Sequence, residues 1–111
     1  QGEQVLEIEA EVKVKEITLS LAKKIGSFQP FGIANPQPLL ASRGVKIGDI
    51  RTVGEGKHLK FKVEGGIDAI AFGKGDLKNN LPSVVDLAYN LEVDSWGSIQ
   101  KPQFKVKDIK W

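Results

Sequence analysis

Catalysis by this chain would have to be built around His58, the only histidine in a sequence that has no cysteine. Cysteine nucleophiles, thiolate metal sites and disulfides are thereby excluded. His58 has no second histidine with which to share a metal ion and no nearby acidic partner to orient it as a general base. Lysines flank it, Lys57 before and Lys60 after, so it reads as a solvated or nucleic-acid-facing imidazole. Glu7, Glu9 and Glu11 recur on one side of an alternating run. Such a row could hold a hard cation, but it reads more readily as a solvent face or a contact surface for a neighbour. The stretch GKGD at 73–76 lacks the spacing of a phosphate loop. No catalytic residue and no metal ligand is assigned.

Binding of a polyanion is the chemistry that the residues do support. Net charge is only +2, but it is unevenly spread. Residues 1–16 hold five glutamates against two lysines, whereas the rest holds 14 Lys/Arg against 9 Asp/Glu. The densest stretch, 43–62, carries Arg43, Lys46, Arg51, Lys57, Lys60 and Lys62 against Asp49 and Glu55. Together with His58, these cations are the candidate phosphate-tracking set. Stacking platforms are scarce. Phe61 and Phe72 read as core, Tyr89 falls on the apolar side of its run, and Trp111 ends the chain. Trp96, in the turn DSWGS, is the remaining candidate base platform, with an indole packed over the end of the fold as the alternative.

These residues must be positioned by short strands. With 111 residues and 41% hydrophobic content, the chain suits one domain with one core. No apolar run approaches a membrane span and no signal-peptide pattern opens the sequence. The absence of cysteine is compatible with a reducing cytoplasm. From Leu6 to Val14 every even position is apolar, the period of a half-buried strand. Ile17, Leu21, Ile25 and Phe28 then recur at helical spacing, with Gly26 as a stop and Lys23 and Lys24 suited to the helix C-terminus. Beyond a proline-rich connector, QPFGIANPQP at 29–38, strand patterns return at 42–54, 56–66, 67–73, 84–96 and 103–111. Gly48 suggests a bulge and Gly65-Gly66 a hairpin. In 67–73, Ala69 and Ala71 alternate with Ile70 and Phe72, which predicts burial on both sides. Five short strands with an excursion between the third and fourth predict a mainly β fold, a Greek-key barrel of the OB type, preceded by a strand and one linker helix. The expected division is a junction over 1–28 and a barrel over 29–111.

Several ordered stretches carry a family likeness. They are Pro30-Phe31-Gly32 with Asn35-Pro36 and Pro38, His58-Leu59-Lys60, Ala69-Ile70-Ala71-Phe72-Gly73, Asp86-Leu87-Ala88-Tyr89, Trp96-Gly97 and Asp108-Ile109. Together they resemble the C-terminal OB domain of RecJ-type exonucleases, over most of the chain from about residue 5 onward. Ala34, Leu40, Asp94 and Lys101-Pro102 depart from the family pattern.

The resemblance implies a fragment of a single-strand-specific 5′ to 3′ exonuclease acting in DNA repair and recombination. Its catalytic domains, of the Asp-His-His (DHH) type with manganese or magnesium, are not in this sequence, so no cofactor is expected here. The implied partners are single-stranded DNA, those catalytic domains and a single-strand-binding protein, without a membrane and in the cytoplasm. The competing reading is a scaffold module that docks on the nuclease core or on the single-strand-binding protein. In the connector, Phe31 reads as a plug between helix and barrel, with base stacking as the alternative. Each proline there restrains the residue before it, and Asn35 suits a turn.

Overall fold

The computed structural model describes residues 7–28, 31–32 and 36–111. Six strands and one helix follow in chain order: β1 (Ala10–Glu11), α1 (Leu19–Gly26), β2 (Leu40–Val53), β3 (His58–Val63), β4 (Ile67–Ala71), β5 (Val84–Asp94) and β6 (Lys101–Lys110). Short 3-10 turns cover Val14–Glu16 and Gly75–Leu77.

The ring runs β2-β3-β4-β6-β5 and closes because β2 also pairs with β5. Neighbours are antiparallel except β4 and β6, which are parallel. A long connection over the end of the barrel is therefore needed between β4 and β5, and the 3-10 turn at Gly75–Leu77 lies in it. This is the five-strand OB arrangement that the strand pattern predicts, with β1 added outside the ring.

One strand serves both sides of the ring because it bends. The first part of β2, Leu40–Lys46, pairs with β5, and the second, Ile47–Val53, pairs with β3. Register shifts fall between Ser42 and Val45 and between Gly48 and Arg51. The first of these is held by the Asp86 carboxylate, which accepts the Gly44 N–H at 2.8 Å. Gly48 thus marks a bulge as its sequence position suggests. Val63, Gly65 and Gly66 close the β3–β4 hairpin, with both glycines at positive φ and the Gly66 N–H bonded to the Val63 carbonyl.

The core fills a narrow barrel by matching large side chains with small ones. Phe61 lies opposite Ala69, Leu59 opposite Ala71, and Ala69 also opposite Phe104. All five are fully buried. The Tyr89 ring stacks on Phe104 with centroids 3.8 Å apart. Its hydroxyl bonds to Ser42 Oγ at 2.8 Å, and the Ser42 hydroxyl also reaches the Val12 carbonyl. Burial pushes the Tyr89 phenol up, against the opposing effect of its hydrogen bond with Ser42.

The entry to the barrel departs from its sequence pattern. Only Ala10 and Glu11 of the alternating run form a strand, parallel to Leu40 and Ala41. Ile8 and Ala10 are exposed, and Leu6 lies outside the described residues. The chain finds an edge to pair with only where β2 begins, then turns at Val14, with the Lys13 N–H bonded to the Glu16 carboxylate. Thr18 caps α1 by accepting the Leu21 N–H at 3.0 Å. Ile17 is buried ahead of the helix, Ala22 is its most buried residue, and Phe28 lies beyond it, 57% exposed rather than on the packed face. Gly26 ends the helix, as expected, with Ser27 capping it through the Lys24 carbonyl. Because α1 packs against β5, the outer side of that strand is buried too, at Ala88 and Asn90.

Gln29, Pro30, Ile33, Ala34 and Asn35 of the connector lie outside the described residues, and with them the turn expected at Asn35. Its last part is tied to β5: Asn90 donates to the Pro38 carbonyl at 2.9 Å, and Gln37 to Glu92 at 3.2 Å. Phe31 is half-buried and lines a groove of about 500 Å³ with Ala22 and Ile25 of α1 and Leu91 and Val93 of β5. This is the seam that its sequence position suggests.

Candidate nucleic-acid interface

Alternation along β3 turns Leu59, Phe61 and Val63 inward and leaves His58, Lys60 and Lys62 on the outer face. The antiparallel register sets Lys60 opposite Ile70 and Lys62 opposite Asp68 on β4. On the other flank, Arg51 of β2 lies opposite Lys60, and Lys105 of β6 lies opposite Ile70. A row of Arg51, Lys60, Ile70 and Lys105 thus crosses four neighbouring strands. Phe72 follows β4 at the same end, with its side chain 55% exposed.

This corrects the core position expected for Phe72. Barrel space beside Phe61 and Phe104 admits only Ala69 and Ala71, so their neighbours Ile70 and Phe72 point outward. The His58 ring meets Phe72 edge-on at 5.2 Å between centroids and 73° between planes, and Lys105 Nζ stands 6.0 Å from the Phe72 centroid. An exposed ring held by an imidazole and approached by an ammonium can take a nucleobase on its free surface while cations beside it hold phosphates.

His58 is fixed by its surroundings. Nδ1 accepts the Gly73 N–H at 2.9 Å, so in the neutral ring the proton sits on Nε2. A Cβ on Gly54 would come within 2.8 Å of the His58 ring, and Gly54 has φ +64°. The turn joining β2 to β3 is itself clasped. Gly75 donates to the Lys57 carbonyl at 3.0 Å, and a Cβ at Gly75 would stand 1.9 Å from the Gly56 oxygen. Glu55, at the tip, adopts φ +61°.

The sequence candidates separate in space. Arg51, Lys57, His58 and Lys60 gather at this turn end of the outer face, with Arg51 paired to Asp49 at 2.8 Å. Lys62 lies on the same face farther along, 2.6 Å from Asp68. Arg43 and Lys46 sit on the first part of β2, where the Lys46 carbonyl accepts the N–H of Glu64 just past the end of β3. Arg43 Nε is 3.1 Å from Glu11 of β1, and Lys46 lies opposite Val84. They are not part of the row, because Arg43 lies on the half of β2 that pairs with β5, and Lys46 lies at the Gly65-Gly66 end, across the second register shift from Arg51. Glu11 therefore has a cationic partner, and among the described residues no three His, Cys, Asp or Glu side chains are grouped as a metal site requires.

Trp96 is 90% exposed, so it is not packed over the barrel end. It lies in the β5–β6 turn, where Asp94 accepts its N–H at 3.0 Å and Gly97 has φ +97°. Because β6 runs parallel to β4, this turn belongs to the Gly65-Gly66 end. It is separated from Lys57 by the length of β3, about 20 Å at ~3.3 Å per residue. Ile99 in the same turn is 70% exposed.

The sequence reading missed Phe72 and Lys105. Counting back from the Gly65-Gly66 hairpin would have found Phe72, since the register that buries Leu59 against Ala71 sets His58 and Phe72 together outside.

Comparison with known proteins agrees with the fold. The family described as RecJ OB domain matches residues 8–108. The single-stranded-DNA-specific exonuclease RecJ of Thermus thermophilus is 30% identical over 88 residues, covering 79% of this chain and 13% of that protein. Two crystal structures of RecJ from the same organism, with Mn2+ and with Mg2+, each have a TM-score of 0.66 at 28% identity over 82% of this chain. The chain spans only 13% and 14% of those two structures. With a closed five-strand ring and a family match from residue 8 to residue 108, the chain belongs to the RecJ OB-domain family.

Proposed function

We propose that this chain is the substrate-gripping module of a RecJ-like single-stranded-DNA exonuclease, and that it holds DNA on the outer face of β2, β3, β4 and β6. The exposed Phe72 ring, set among His58, Lys60, Arg51 and Lys105, carries the reading. Bases would stack on Phe72 while Lys57, Lys60 and Arg51 track phosphates. The catalytic domains, and the manganese or magnesium they use, would lie elsewhere in a longer protein. Residues 1–28 would then form the junction to those domains and 29–111 the gripping unit, working in repair and recombination in the cytoplasm. Among the described residues no helix is long and apolar enough to cross a membrane.

Fluorescence anisotropy with a labelled single-stranded oligonucleotide tests this. Binding should be micromolar or weaker at physiological salt and should strengthen as salt falls, since few phosphates are engaged. Charge reversal at Arg51 and Lys60 should abolish it. Retention of full affinity by that double variant would refute the proposed face.

The exposed Trp96 and Ile99 favour a second role alongside the first. An apolar tip at the far end of the barrel suits docking on the nuclease core or on a single-strand-binding protein. Trp96→Ala should weaken such docking and leave DNA affinity of the isolated chain unchanged.

A further inference from the structure

The two ends of the outer face hold their cations differently. At the Phe72 end, Lys57, Lys60 and Lys105 form no ion pair with the described residues, and Arg51 pairs only with Asp49, whose side chain is 61% exposed. At the other end, two lysines converge on one carboxylate. Lys62 Nζ of β3 lies 2.6 Å from one oxygen of Asp68, and Lys101 Nζ, at the start of β6, lies 3.6 Å from the other. The Asp68 side chain is 19% exposed, against 41% and 53% for the lysines, so the anion lies deeper than the cations that cover it. The next positions across this row are Gln103 and Glu92, which add no positive charge.

We propose that Asp68 sets the boundary of the nucleic-acid footprint, by occupying with an internal carboxylate two lysines that would otherwise bind backbone phosphates. A phosphate arriving there must displace a formed ion pair and approach a fixed negative charge. At Lys60, on the same strand two residues earlier, it meets neither. A bound single strand is therefore confined to the end that carries Phe72, His58, Lys60 and Arg51, and it leaves the sheet before the Trp96 turn. A short footprint suits a module that must let its substrate slide onward. This inference rests on the outer face being the DNA-binding face.

The test uses the 111-residue chain and fluorescein-labelled oligothymidylate, with anisotropy titrations across a salt series and folding checked by circular dichroism. Asp68→Asn should bind more tightly at low salt. Its slope of log affinity against log salt should steepen by about 0.7 for each phosphate gained, or about 1.4 for two. Its advantage over the parent chain should then shrink about seven-fold as salt rises from about 50 to about 200 mM. Adding Lys62→Ala or Lys101→Ala to Asp68→Asn should each remove roughly half of the extra slope. In the parent background neither lysine substitution should change the slope. A merely structural Asp68 would move stability and leave every slope alone.

Unchanged affinity and slope in Asp68→Asn would overturn the proposal, as would a shallower slope for Lys62→Ala or Lys101→Ala in the parent chain. The latter two variants decide the matter even if Asp68→Asn does not fold. Lys60→Glu separates the two levels. If it binds like the parent chain, the face itself is wrongly assigned. If it loses binding while Asp68→Asn gains none, only the boundary role fails.

Discussion

The two faces of the β3–β4 hairpin share one backbone and one period, yet they carry different kinds of information. Inward, Leu59 and Phe61 meet Ala71 and Ala69 with almost no exposed surface, and the requirement is volume. Outward, His58, Lys60 and Lys62 meet Phe72, Ile70 and Asp68, and the requirement is which charge or ring reaches solvent. The contrast teaches that hydrophobicity alone does not assign a face in a narrow barrel. The small residues of β4 go inside and the large ones outside, because the opposite strand has already filled the space.

If the two faces are separable, substitutions should divide cleanly between stability and binding. Phe61→Ala should have the largest effect, lowering unfolding free energy in a urea titration by about 3–5 kcal/mol, with affinity of the folded fraction unchanged. Gly75→Ala should come next. Its Cβ would meet the Gly56 oxygen at 1.9 Å, so the turn must shift, at about 1–3 kcal/mol in the same titration. Since that turn carries Lys57, this variant should break the separation by weakening anisotropy as well.

Phe72→Ala should sharpen the contrast in the opposite sense. Loss of one base platform should reduce single-strand affinity by about 1–3 kcal/mol while the urea midpoint stays near that of the parent.

The smallest effect belongs to acid. The hydrogen bond from Lys62, opposed by burial and aided by Lys101, holds the Asp68 carboxyl below its ordinary value. Its charged form is thus favoured in the folded chain. That stabilisation is complete above the unfolded value of about 3.9, and it is lost as pH falls through that value and then through the lower folded one. Urea midpoints measured downward from about pH 5 should fall less steeply for Asp68→Asn than for the parent chain.

The barrel was largely legible because its strands obey a simple rule. Leu59-Phe61-Val63 and Val85-Leu87-Tyr89-Leu91 alternate cleanly, and the glycine pair at 65–66 fixes the hairpin between β3 and β4. The alternating run from Leu6 to Val14 misled for a physical reason. Alternation states which side could be buried, but a strand also needs a neighbour, and β2 offers one only to Ala10 and Glu11. Phe72 misled because two apolar faces cannot be ranked without knowing what lies across from them. Arg43 and Lys46 belong to the same charge cluster in sequence as Arg51 and Lys60. The bulges of β2 part them, and no count of charges reveals a bend. The family stretches become physically intelligible in the same way: Asp86 holds a bulge and Gly73 fixes His58, while Asp94, a departure from the family pattern, forms the turn that presents Trp96.

The parallel seam between β4 and β6 pairs only Asp68, Ala69 and Ile70 with Gln103, Phe104 and Lys105, whereas β5 and β6 pair at nine positions. In a closed ring, the shortest join is where transient opening costs least. Phe72 and Lys105 stand on opposite banks of that join. A nucleic-acid strand lying over both would act as an external stitch, and amide-exchange protection should rise at Ala69–Ala71 well before it changes along β5.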